Sequence, residues 1–138
     1  MKFVSTRIVT DYVPALASFY ERVTGITPVG CSEHYVEIAT PTGVLAICSY
    51  DSVTLFNAAA AKPRANHSVI IEFEVADVDA ERRRLADCVE SFVMEPTSQP
   101  WGTRSMLLRD PDGNLINIYA VIDSNGICAE ECRPPIEG

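Results

Sequence analysis

The candidates in this sequence for holding a divalent metal ion or moving a proton are His34, Glu37, His67 and Glu72. His34 follows Ser32-Glu33 in a turn, and His67 adjoins Asn66 at the start of a strand-like run. Glu37 alternates with Tyr35 and Ala39, so the three share one face of a strand. Glu72 and Glu74 share a face opposite Phe73, as solvated carboxylates or as partners for Arg7. Neither histidine has a serine or cysteine at triad-like spacing. The glycines form no phosphate cradle, and no two carboxylates can be set at the separation that glycoside cleavage needs. A second group of residues works by contact. Trp101, fixed between Pro100 and Gly102, offers a rigid ring that either walls a planar ligand or packs in the core or at a dimer interface. Arg104 pairs with a ligand carboxylate or phosphate, or internally with Asp110.

These residues sit in an acidic chain. Nineteen acidic residues stand against eleven basic ones, for a net charge of -8 over 138 residues. That field repels phosphate backbones and anionic lipid, so neither nucleic acid nor a membrane is an expected partner. Hydrophobic residues make up 47% and charged residues 22%, which is enough apolar surface for a core and too much for a disordered chain. No apolar run approaches the roughly 20 residues of a membrane span. Met1-Lys2-Phe3 leads straight into a strand-like pattern without an export signal. The expectation is therefore a cytoplasmic protein whose five cysteines are reduced. Cys48, among Ala46, Ile47 and Tyr50, reads as a small buried hydrophobe, and Cys128 and Cys132 as tail thiols.

The elements that position these groups come as an internal repeat. Arg7-Ile8-Val9-Thr10-Asp11 and Phe73-Glu74-Val75-Ala76-Asp77 are apolar strands that each stop at an aspartate and turn into a helical pattern. Both aspartates are expected to cap the helix that follows. Val13, Leu16, Phe19, Tyr20 and Val23 form one stripe, predicting a helix over 13–24 closed by Gly25; a second is predicted over 78–87. An offset of 66 superposes Asp11 on Asp77. Strands follow at 29–31, 35–39 and 44–49 in the first half, and at 91–94, 103–109 and 115–120 in the second. Thr40-Pro41-Thr42-Gly43 and Asp110-Pro111-Asp112-Gly113-Asn114 form matching turns with Gly43 equivalent to Gly113. The plan is βαβββ, twice. Module one covers about 1–50, a connecting loop 51–66 with a helical turn at Ala58–Ala61, and module two about 67–122, in a single domain over 1–122. A tail follows at 123–138.

Asp11 with Phe19-Tyr20-Glu21 and Gly25, then Phe73 to Ala80, then Pro100-Trp101-Gly102-Thr103-Arg104, then Asp110-Pro111-Asp112-Gly113-Asn114-Leu115-Ile116, resembles the vicinal oxygen chelate superfamily. This is the glyoxalase, bleomycin-resistance and extradiol-dioxygenase group. The match spans about 3–121. The resemblance implies an α+β fold: two βαβββ modules forming an open curved mixed sheet around a cleft, commonly in a homodimer. It also implies metal-ligand positions about seven residues before each strand-ending aspartate and four after each hairpin glycine. Here these are Val4, Ile70, Ile47 and Asn117, three of which have no donor. A two-residue slip of register brings Thr6 and Glu72 instead. The expected protein is of the bleomycin-resistance-like type. It binds an aromatic or cationic small molecule without a cofactor, through Trp101, Asn117, Arg104, Tyr50, Tyr119 and Tyr35. The alternative is a lyase, isomerase or dioxygenase holding a divalent metal through displaced ligands such as His67 and Glu72.

Overall fold

In a computed structural model describing residues 1–122, the side chain of Cys31 excepted, the repeat appears as two four-stranded mixed sheets. The tail and its two cysteines lie outside the described residues. The elements run β1 (Ser5–Thr10), α1 (Val13–Thr24), β2 (Val29–Ser32), β3 (Tyr35–Ala39), β4 (Val44–Ser49), α2 (Tyr50–Phe56), β5 (Ile70–Glu74), α3 (Val78–Leu85), β6 (Phe92–Ser98), β7 (Thr103–Arg109) and β8 (Leu115–Val121). Sheet A has the order β1-β4-β3-β2 and sheet B the order β5-β8-β7-β6. In each, the first strand lies parallel to the last, and the other neighbours are antiparallel. The chain divides into two compact units, 1–68 with 110–114, and 69–109 with the remainder.

Sheet A is covered on one face by α1. The helix stripe Val13, Leu16, Ala17, Phe19, Tyr20 and Val23 is buried, as are Ile38, Leu45 and Ile47 of the sheet. Gly25 closes α1 at φ +71°, its N–H donating to Glu21 O at 2.8 Å. Gly30 in β2 is held to glycine by space: a Cβ there would sit 2.4 Å from the Tyr35 carbonyl oxygen. Tyr20 is fully buried and packs edge-on to Phe19, and its hydroxyl donates to Asp110 Oδ2 at 2.7 Å. Burial first, and then the Asp110 charge, push the Tyr20 phenol far above its ordinary pKa, so it stays protonated and keeps donating to Asp110. Asp110 also accepts from the N–H groups of Asp112 and Asn114 and from Asn114 Nδ2. One buried carboxylate therefore closes the 110–114 turn and satisfies the largest polar group in this core.

Sheet B is covered by α3 through Val78 and Leu85, over buried Met106, Leu108, Ile116, Ile118 and Ala120. Asp77 caps α3 as expected, accepting from Ala80 N at 3.1 Å. Asp11 does not cap α1. Tyr12 holds the cap position without a side-chain bond, and Asp11 pairs with Arg64 instead. The first half has one residue more between aspartate and helix, which carries Asp11 out of reach of the free N–H groups. The linker also differs from expectation. Its helix is α2, started by Ser49, whose Oγ accepts from Ser52 N at 3.1 Å. Ala58 and Ala59 take left-handed φ values of 55° and 52° and end it rather than form it.

Two predictions follow from these contacts. Asp110→Ala strands four donors and should cost roughly 3 kcal/mol in urea unfolding, more than the ~1.5 kcal/mol expected for Tyr20→Phe, which removes one bond to a charged group. On sheet B, the hydrogen bonds from Arg104 hold the Asp79 carboxyl below the usual carboxylate range. Its contribution is present above the unfolded pKa near ~4 and is lost as pH falls through the lowered folded value. Urea midpoints of wild type and Arg104→Gln should therefore differ at pH 7 and converge toward pH 2.

Candidate functional site

Which side chains meet is decided by strand register. On sheet B, β5 and β8 set Ile70 beside Leu115, Glu72 beside Asn117 and Glu74 beside Tyr119. The β7 partners of this face are Arg109, Leu107, Ser105 and Thr103. All of these point away from α3, because the alternating positions Ile116, Ile118 and Ala120 face the helix. Asn117 Nδ2 donates to Glu72 Oε2 at 2.7 Å, while Asn117 Oδ1 is buried without a partner among the described residues. Beside them, Gln99 Nε2 reaches Ser105 Oγ at 3.4 Å.

On sheet A the equivalent face, away from α1, carries Arg7, Val9, Ala46, Cys48, Tyr35 and Glu37. Arg7 lies opposite Ala46, which lies opposite Glu37; Val9 lies opposite Cys48, which lies opposite Tyr35. The Tyr35 hydroxyl donates to Glu37 Oε1 at 2.7 Å, and Arg7 Nη2 donates to Asn57 Oδ1 at 3.1 Å. The bond to Glu37 raises the Tyr35 phenol above its ordinary pKa, by favouring the protonated donor. Glu37, Tyr35 and Ala39 share a face as the alternation predicts.

The mirror position of Asn117 is Ala46, not Ile47. The backbone closes the first turn from Thr40 N to Gly43 O and the second from Asp110 N to Asn114 O. Gly43 is thus the counterpart of Asn114, one residue later than the glycine-to-glycine match assumes. A one-residue shift exchanges faces, and Ile47 goes to the α1 side, fully buried. In β5 the neighbour of Asn117 is Glu72, and the matching neighbour of Ala46 is Arg7. Val4 precedes β1 and is exposed.

The contact candidates disperse. Asn117 and Tyr119 share the open face of sheet B, and Tyr35 lies on that of sheet A. Tyr50 opens α2. Trp101 sits in the β6–β7 turn with 48% of its surface exposed. Arg104 lies on the α3 face, where Nε and Nη2 grip both oxygens of Asp79 at 2.7 and 2.9 Å. Its internal partner is thus Asp79 and not Asp110, which is committed to Tyr20 and Asn114. His67 is exposed ahead of β5. His34 does have a serine partner, Ser49 Oγ, 2.9 Å from Nδ1 across the β3–β4 pair. That oxygen also accepts the α2 cap bond, so its lone pair faces the helix rather than a substrate. Sequence reasoning missed Arg7 and Ala46 as site positions. The unequal lengths of the two turns were the signal that would have placed them.

These residues do not fit the divalent metal that the resemblance implies. Ile70, Ile47 and Val4 have no donor, Ala46 has none, Arg7 is a cation, and Asn117 offers one neutral oxygen beside the single carboxylate of Glu72. No group of three histidine, cysteine, aspartate or glutamate side chains converges among the described residues. Asn117→Asp should test the Glu72 contact. Two facing carboxylates should lower stability at pH 7 by about 0.5–1 kcal/mol. Urea midpoints of wild type and variant at pH 7 measure it.

Comparison with known proteins now bears on the arrangement. The chain is similar to a glyoxalase/bleomycin resistance protein/dioxygenase from Nocardioides, with TM-score 0.75 and 20% identity over 92% of this chain and 87% of that one. It is also similar to a glyoxalase/bleomycin resistance protein/dioxygenase family enzyme from Burkholderia phytofirmans PsJN, with TM-score 0.74 and 18% identity over 85% and 96%. A lactoylglutathione lyase from Agrobacterium tumefaciens gives TM-score 0.64 and 23% identity over 86% and 92%. No curated protein matches the sequence. The family model matches residues 2–118, nearly the whole of the described chain, so the chain belongs to the Glyoxalase/Bleomycin resistance protein/Dioxygenase superfamily.

Proposed function

We propose that the protein binds a small organic molecule on the open sheet faces, as a homodimer, and does so without the metal ion used by enzymes of its superfamily. The observation that carries this reading is the pair of equivalent rungs: Arg7 beside Ala46 in sheet A and Glu72 beside Asn117 in sheet B. A guanidinium repels a divalent cation, alanine offers it nothing, and the neutral amide oxygen of Asn117 beside the single carboxylate of Glu72 is too small a donor set to anchor one. On sheet A, Arg7, Tyr35 and Glu37 offer donors and acceptors that orient a polar ligand, and on sheet B Glu72 and Asn117 do so separately. Exposed apolar side chains, among them Leu55 and Phe56 in one unit and Ile70, Val121 and Ile122 in the other, support burial against a second copy.

The second reading, a metal-dependent enzyme with displaced ligands, draws on Glu72 and His67. Both readings meet one experiment. Metal-stripped protein is equilibrated with zinc, manganese, nickel or ferrous ions and the bound metal counted, while a thermal-shift screen of small molecules runs in parallel. The expected outcome is no stoichiometric metal, and stabilisation by one or more small molecules. One tightly held ion per chain, lost in His67→Ala or Glu72→Gln, would overturn the binder reading in favour of the enzyme. Sedimentation of the same sample should give twice the chain mass.

A further inference from the structure

We infer that the open face of sheet A takes a zwitterion of the α-amino-acid class, with Arg7 receiving its carboxylate and Glu37 its ammonium group. This deepens the small-molecule reading above and rests on it. The warrant is one rung of the sheet. Arg7, Ala46 and Glu37 stand in line on three adjacent strands, side chains on the same face. With strands about 4.8 Å apart, the two charged residues have Cα atoms roughly 10 Å from one another. Between them Ala46 contributes only a methyl group and is itself buried, as is Cys48 between Val9 and Tyr35 on the next rung, so a ligand meets the charged ends of Arg7 and Glu37 rather than the sheet surface.

Opposite charges at this separation, on long side chains, would be expected to close over the alanine and neutralise each other. They do not. Arg7 turns to the neutral oxygen of Asn57, and Glu37 is held by the neutral hydroxyl of Tyr35. Among the described residues neither forms an ion pair. Each is thus fixed by a partner that leaves its charge uncompensated. Arg7 retains most of its planar fork of N–H donors, which suits a carboxylate in two-point contact. Glu37 retains Oε2, which accepts from an ammonium.

The arrangement also discriminates. A lone cation meets Arg7, a lone anion meets Glu37, and a neutral molecule leaves two charges unmatched; only a ligand bearing both signs a short distance apart satisfies the rung. Because Arg7 is exposed and Glu37 half-buried, the contacts are screened and the affinity is modest.

The test is calorimetric titration of the full chain with the twenty free L-amino acids, their N-acetyl derivatives and their amides. At least one free amino acid should bind, with its N-acetyl and amide forms at least tenfold weaker. Arg7→Gln and Glu37→Gln should each weaken it tenfold or more, and Arg83→Gln, at an exposed position of α3, should leave it unchanged. Equal binding of the blocked forms would overturn the inference. So would binding of other small molecules in the thermal-shift screen with no amino acid among them. Both results leave the small-molecule function standing, whereas a screen with no ligand at all removes both. The comparison of free and blocked ligands needs no variant, so a variant that fails to fold does not blunt it.

Discussion

Strand alternation is the constraint on which every assignment here depends. A side chain belongs to the helix face or to the open face, with nothing between, and one residue more or less in a turn exchanges the two. The turn after β3 closes over four residues and the turn after β7 over five. That difference puts Ile47 against α1 and Ala46 on the open face, while Asn117 keeps the open position in sheet B. The chemical character of each rung follows: alanine between an arginine and a glutamate in one half, an asparagine joined to a glutamate in the other.

Much of the architecture was legible because it is written in periodicity. The stripe from Val13 to Val23 gave α1 with its boundaries, and the runs at 35–39, 44–49 and 103–109 were read to the residue. Local exceptions were not. The extra residue before α1 moved Asp11 from cap to ion pair, and nothing in the aspartate itself announces this. α2 escaped notice because Tyr50 to Phe56 is a short segment with a single buried apolar residue, Val53, so no stripe marks it.

The candidate site was legible only in part, for a different reason. Residue type flagged Tyr35, Asn117, Tyr119 and Glu72, and register placed them on open faces. Type also flagged Arg104, whose chemistry suits a ligand as well as it suits Asp79; only the fold distinguishes those partners. Ala46 carried no flag at all, since alanine has no polar group and only the strand register sets it between Arg7 and Glu37.

The 110–114 turn ties the second half of the sequence into the core of the first unit. It belongs by sequence to the second half yet is counted with the first unit, because Asp110 completes the core around Tyr20. A fragment ending at Ser68 would retain every strand of sheet A and still lack the carboxylate its buried phenol requires. The halves share one plan without being interchangeable: cutting the chain between them would separate a buried hydroxyl from the acceptor it is bonded to.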